Sequence, residues 1–280
     1  MSTVVVCAVL FGALLHASWN ALVKSRADTF LVTVLIASGA GMLAALALPF
    51  VPAPDPSSWP FIAGSTAIQL SYYALLVAAY RDGDMSHAYP LMRGSAPLLV
   101  ALVSGPLIGE QLGARQWVAI GCICGGILAL FFTSRGRHPG ARRTTVFALL
   151  TACMIAAFTL TDGIGVRKSG SPLAYTMWIY MLTALGLLAW AAARRPGELA
   201  AYARLNAGVM LVGGAASLGS YCLALWAMTQ APVAAVAALR ETSILFAAAI
   251  ATLVLREKVG ARRLAAIALV ACGAVAMRLA

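Results

Sequence analysis

The most conspicuous lack in this chain is charge. Of its 280 residues, 10% are charged and 62% hydrophobic, whereas soluble domains run near a quarter charged and half apolar. Catalytic signatures are missing too. There is no HExxH helix, no nucleophile beside a base and no pair of catalytic carboxylates, so an enzyme is not expected. No Cys–His cluster has metal spacing, so neither a metal nor another cofactor is expected. The six cysteines, Cys7, Cys122, Cys124, Cys153, Cys222 and Cys272, all fall inside apolar stretches. Cys122 and Cys124 are two apart and point to nearly opposite faces of a helix, which makes them packing residues. The connections between apolar stretches are short and leave no room for a separate soluble domain.

What the chain has instead is apolar blocks of about twenty residues, long enough to cross a hydrocarbon core of roughly 30 Å. Most show no polar face at helical spacing. The reading is an all-α integral membrane protein with ten transmembrane helices. The spans run near Thr3–Val23, Phe30–Val51, Trp59–Tyr80, Ser86–Ile108, Gln116–Thr133, Thr144–Ile164, Leu173–Ala193, Ala207–Thr229, Pro232–Leu255 and Arg262–Leu279. The first has no basic segment before it and no clear cleavage site after it, and is expected to be a retained helix.

A net charge of +11 raises the question of nucleic acid, but the basic residues mostly lie in loops and no nucleic-acid partner is expected. The loops after the odd-numbered spans carry Lys24, Arg26, Arg81, Arg135, Arg137, Arg142, Arg143, Arg194, Arg195, Arg204, Arg256, Lys258, Arg262 and Arg263. The other side carries Arg115, Arg167, Lys168 and Arg278. Basic loops favour the cytoplasm, which puts both termini outside it. The membrane is expected to be a bacterial cytoplasmic (inner) membrane.

An internal repeat is the most specific signal. GEQLGARQWVAI at 109–120 aligns with REKVGARRLAAI at 256–267, an offset of 147 residues. The same offset places Arg93 on Arg240, Glu110 on Glu257 and Gly126 on Gly273. Offset by 148, the stripe Gln69, Tyr72, Tyr73, Leu76, Tyr80 falls on Ser217, Ser220, Tyr221, Ala224, Met228. Two five-helix transmembrane repeats follow, residues 1–135 and 136–280. Five is odd, so the second enters the membrane from the opposite side. Such inverted repeats recur in secondary transporters, where two halves rock about a central site.

Ten spans in two such halves, with LLHASWNALVKS, GDMSHAYPLMRGSAPLLVAL and FTLTDGIGVRKSGSPLAY, resemble the EamA-type transporters of the drug/metabolite transporter superfamily. The resemblance covers essentially the whole chain. It implies transport of a metabolite such as an amino acid or analogue, or a phosphonate; the inverted repeat adds alternating access, and the arginines inside spans add an anionic or zwitterionic substrate. A lipid-carrier flippase, or an accessory subunit of one, is the alternative. The resemblance also implies cytoplasmic termini, opposite to the basic count. The expected partners are a small-molecule substrate and membrane lipid, with a coupling proton and a homodimer left open.

Polar residues inside spans are costly and mark sites. Arg93 leads, between Pro90 and Pro97 and on one face with Tyr89 and Pro97; its guanidinium can grip a carboxylate or phosphonate with two hydrogen bonds. The competing partner is a protein acid, Asp162 or Glu241. The prolines point to a disturbed helix lining a cavity. Arg240 is the repeat counterpart, beside Glu241, and looks the more readily paired of the two arginines. Thr242 and Ser243 are expected to bond to their own helix. His16, Trp19 and Asn20 form a stripe in which His16 is either a proton carrier or a helix–helix partner. Gln69, Tyr72 and Tyr221 are cavity candidates, with Trp178 and Trp226 as wall residues. Tyr80 reads as an interfacial anchor and His87 as solvated. Asp162, near a span end, is left open between gate, coupling acid and exposed cap. Glu110 and Glu257 are expected to complement helix N-termini.

Overall fold

Apolar runs become helices here, and polar residues or prolines set where they begin. In the computed structural model, residues 1–81, 85–133, 141–253 and 260–280 are described. Those residues form α1 (Thr3–Lys24), α2 (Thr29–Ala47), α3 (Trp59–Arg81), α4 (Met85–Ile108), α5 (Ala114–Thr133), α6 (Ala141–Lys168), α7 (Pro172–Arg194), α8 (Glu198–Leu205), α9 (Ala207–Gln230), α10 (Val233–Arg240), α11 (Ser243–Leu253) and α12 (Ala261–Leu279). Ser2 Oγ accepts from Val5 N at 3.3 Å and Asp28 Oδ1 from Leu31 N at 2.9 Å, each filling one open donor in the first turn of α1 and α2. Pro172 begins α7, where a missing N–H costs nothing. Glu257, Arg135, Arg137, Arg256 and Lys258 lie outside the described residues, as do the side chains of Tyr80, Arg81 and His87.

Polarity is distributed inside out for a soluble protein. Phe11, Leu102, Val118, Leu185, Val212 and Leu264 are exposed, while Ser65, Thr151, Asp162, Thr176, Glu241 and Thr242 are buried. A surface that meets hydrocarbon has no reason to hide leucine, and polar groups retreat to where protein can satisfy them. Nine helical stretches among the described residues are long and apolar enough to cross a membrane. α12 is not among them, because Arg262, Arg263 and Arg278 crowd its 19 residues. The chain is therefore a multi-pass, all-helical membrane protein.

Three local features differ from the sequence expectation. α4 runs unbroken through Pro90, Pro97 and Pro106, so the prolines do not interrupt it. The interruption lies instead in the ninth apolar run, between α10 and α11. There Glu241 N bonds Ala238 O at 3.0 Å and Thr242 N bonds Leu239 O at 3.1 Å, two tight i to i+3 turns. Thr242 Oγ1 adds a bond to Leu239 O at 2.8 Å, the backbone competition expected of Thr. Third, the connection after α7 holds a short helix, α8, entered at Gly197 with φ +85°, a backbone angle that favours glycine.

Helix packing pairs the two parts of the chain. α1 packs on α9, α3 on α6, α2 on α7, and α5 on α12. α4 contacts α10 and α6, while α1 contacts α10 and α11. Exchanging the first five apolar runs with the last five maps these pairs onto one another. α5 and α12 approach closely at two repeat-related glycines. A Cβ on Gly126 would lie 2.8 Å from Val270 Cγ2, and one on Gly273 would lie 2.7 Å from Ile123 Cγ1. Small residues there let two helices approach backbone to backbone.

Loop contacts sort into two sets. Asp28, after α1, pairs with Arg195, after α7. Asp55 N, before α3, bonds Ser169 O, after α6, at 2.9 Å. Glu110 after α4 meets Arg167 at the end of α6, which in turn bonds Ala231 O after α9. Arg278 Nη2, near the C-terminus, bonds Thr3 Oγ1 at 2.7 Å. No contact in either set joins a loop after an odd-numbered run to one after an even-numbered run, as back-and-forth crossing requires.

Candidate binding cavity

Where α1, α3, α4, α6, α7, α9 and α10 converge, they leave a cavity of about 120 Å³, several times the space one water needs. α1 contributes His16, Trp19 and Asn20; α3 contributes Gln69 and Tyr72; α4 contributes Tyr89 and Arg93. Tyr221 of α9, Arg240 at the end of α10, and Glu241 just beyond it close the other side. Ten of the residues singled out from the sequence thus face one space. Pro97 joins Tyr89 and Arg93 there, the three sharing a face of α4.

The cavity's charges are arranged unequally. Arg93 Nε lies 2.9 Å from Glu241 Oε2, both side chains largely buried. Glu241 therefore goes to the arginine of the other repeat rather than to its neighbour Arg240. Among the described residues no carboxylate lies within ion-pairing distance of Arg240; its guanidinium stands 5.0 Å from the centroid of the Tyr221 ring. This reverses the expectation that Arg240 is the more readily paired. The reason is the break after α10: the tight turns carry Glu241 out of helical register and towards α4.

Asp162 is not an exposed cap. It is fully buried, and its two carboxylate oxygens accept hydrogen bonds from Tyr175 Oη, at 3.1 Å, and from Tyr221 Oη. Tyr221 thus presents one surface to the cavity and its hydroxyl to an acid behind the wall.

The remaining wall is aromatic with polar tips. His16 meets Trp19 edge-on at 5.1 Å, and Tyr72 meets Tyr73 at 5.1 Å and Phe158 at 5.8 Å. Asn20 Nδ2 donates to His16 O at 2.8 Å and Gln69 Nε2 to Ser65 Oγ at 3.1 Å, leaving each amide oxygen as an acceptor. Lys24 Nζ lies 5.5 Å from the Tyr89 ring centroid.

Sequence reasoning missed Tyr73, Phe158, Tyr180, Ser217 and Ser220, which also line the space. Ser217 and Ser220 had a signal, since the repeat sets them opposite Gln69 and Tyr72. Tyr180 had none; its hydroxyl donates to Ser217 O at 3.0 Å. Trp178 and Trp226 do not line the cavity. Trp178 packs edge-on against Trp59 at 4.8 Å, and Trp226 packs against the apolar core. Among the described residues no group of His, Cys, Asp and Glu could hold a metal ion.

Glu110 plays the helix-terminal role expected of it, but at another helix. Its carboxylate accepts from Val233 N at 2.7 Å, at the start of α10, not at the start of α5. Gly109, at φ +72°, turns the chain sharply enough out of α4 to aim it there.

Residues 3–132 and 143–279 each match the EamA-like transporter family. No curated protein matches the chain. A crystal structure of a protein is similar over 100% of this chain and 98% of its own, at 18% identity and a TM-score of 0.80, a likeness of fold.

Proposed function

The chain belongs to the EamA-like transporter family, and from that premise we propose that it carries a small anionic or zwitterionic metabolite across a bacterial cytoplasmic membrane. Amino acids, their analogues and phosphonates are the substrate classes. In this reading ten spans form two inverted five-helix repeats, residues 1–135 and 136–280, and alternating access arises as they rock about the cavity. Packing that maps onto itself when the halves exchange supports it.

The observation that carries the substrate class is the pairing of charges. Arg93 is held on Glu241, and Arg240 faces the cavity with no carboxylate at hand among the described residues. A cation inside a span is costly unless something balances it. An arriving carboxylate or phosphonate does so, with two parallel hydrogen bonds from the guanidinium. Arg93 serves by fixing Glu241, whose carboxylate attracts the ammonium of a zwitterion. The tyrosine faces of α3 add a cation-friendly wall. A polar lining drawn from helices of both halves, with Arg93, Arg240 and Glu241 gathered in it, supports this reading over the lipid-carrier flippase.

Uptake into liposomes, with purified protein and a pooled labelled panel of amino acids, analogues and phosphonates, tests the proposal. At least one panel member should accumulate. Arg240→Gln should cut its uptake at least about tenfold, a loss of about 1.4 kcal/mol of binding, at an unchanged melting temperature. Arg240→Lys should fall between the two, having charge without the fork. Absence of any accumulation, or full transport by Arg240→Gln, defeats the reading.

A further inference from the structure

Behind the cavity wall lies an acid that the proposed substrate site does not use. Asp162 is fully buried in the middle of the fold. The groups acting on it are Ser65 from α3, Tyr175 and Tyr180 from α7, Tyr221 from α9 and, farther off, Arg240 from α10. Among the described residues no Lys, Arg or His reaches it within ion-pairing distance.

A carboxylate so placed needs either a counter-charge or a proton, because an isolated ion in low dielectric is very costly. Both are within reach. The counter-charge is Arg240, on the far side of one tyrosine: its guanidinium faces the Tyr221 ring at 5.0 Å while the hydroxyl of that tyrosine bonds Asp162. The route for a proton is the same residue, since Tyr221 also lines the cavity.

We propose that Asp162 is the protein's proton-binding site, and that its charge is balanced against an anion on Arg240 across Tyr221. With Asp162 ionised, Arg240 has a counter-charge one side chain away and attracts a cavity anion weakly. With Asp162 protonated, that counter-charge is gone and an anion is drawn to Arg240. Proton and anion therefore bind together, each strengthening the other, as linkage requires. The transfer balances: Tyr221 Oη passes its proton to Asp162 Oδ2 and takes one from a hydronium ion that reaches the cavity, leaving water and one net proton bound. The anion step rests on the proposed role of Arg240; the proton site itself does not.

Infrared titration of the full-length protein in liposomes, with no substrate present, separates the two. The carboxylic acid C=O band is followed against pH in wild type, Asp162→Asn, Arg240→Gln and Tyr221→Phe. A pH-dependent band should appear in wild type and be absent from Asp162→Asn. Removing the nearby cation in Arg240→Gln should move its midpoint up by about one pH unit, the scale of 1.4 kcal/mol. Tyr221→Phe, which deletes a donor to the carboxylate, should move it in the same direction. If Asp162→Asn does not fold, the two other variants carry the test, since both must shift one band. A band that no variant moves, or no titrating band at all, overturns the proposal whether or not the panel is transported.

Discussion

At the scale of single residues, the decisive fact is which carboxylate each arginine meets. Arg93 and Glu241 come from different repeats and are both largely buried, 2.9 Å apart. Breaking such a pair strands the remaining charge, at a cost of about 3–5 kcal/mol. Arg93→Ala and Glu241→Ala should therefore each lower the melting temperature in detergent sharply. The double variant, having no stranded ion, should recover most of the loss without recovering transport of a zwitterion. Additive losses in the double variant would show that the pair is not coupled. Ten residues of the cavity were legible because a charge, an amide, a hydroxyl or a ring nitrogen inside an apolar run stands out against its neighbours. Ser217 and Ser220 were masked by their size: a serine in a membrane helix more often bonds its own backbone. Who pairs with whom was not legible, because Arg93 and Glu241 are far apart in sequence and a backbone break sets the direction of Glu241.

At the scale of elements, the short helix α10 that leads into that break is anchored at its other end. α9 ends at Gln230 and α10 begins at Val233, around Pro232. Glu110 sits at the start of α10, accepting from Val233 N at 2.7 Å, and Arg167 joins it at 2.8 Å. Arg167 also donates from Nε to Met228 O at 2.8 Å, at the end of α9. An acid thus meets a helix N-terminus and a base a helix C-terminus, each with the favourable dipole. Glu110→Ala should cost about 1.5–3 kcal/mol, the range for hydrogen bonds to a charged group. Glu110→Gln, which can still accept, should cost less. Thermal unfolding in detergent reads both, and an Ala variant as stable as wild type would remove the anchor from the account. Several helix starts were close from sequence, as at Ala207 and, one residue off, Arg262 against Ala261, because caps and basic loops are local signals, whereas α6 begins before Thr144 and runs beyond Ile164. The break was expected in α4 instead, since prolines are visible and the i to i+3 turns at Glu241 and Thr242 are not. α4 keeps its course through three prolines, each of which removes one donor yet leaves the rest of the hydrogen-bond ladder in place.

At the scale of the molecule, orientation is the open quantity, and two arguments oppose each other. Resemblance to the family places both termini in the cytoplasm; the basic residues place them outside. The loop contacts sharpen the second argument. The termini share a side, because Arg278 bonds both Met1 O and Thr3 Oγ1. On that side Arg167 is neutralised by Glu110, and Lys168 Nζ rests 4.9 Å from the Phe61 ring centroid. Its few basic residues are thus largely occupied by protein. On the opposite side the sequence sets fourteen Lys and Arg in loops, and of the acids near them Asp28 and Glu198 both meet Arg195. Lys and Arg near span ends set topology through their number, and acids weigh little, so the termini should face the periplasm. The six native cysteines lie within helices, three of them exposed, so the measurement needs a cysteine-free background. One cysteine added after Ala280 should then react with a membrane-impermeant maleimide in intact cells, provided the outer membrane is made permeable to it. A second single cysteine at Ser25, in the loop after α1, should react only after lysis. Ser25 reacting in intact cells while the C-terminal cysteine stays protected would reverse the assignment and restore the arrangement the family resemblance implies.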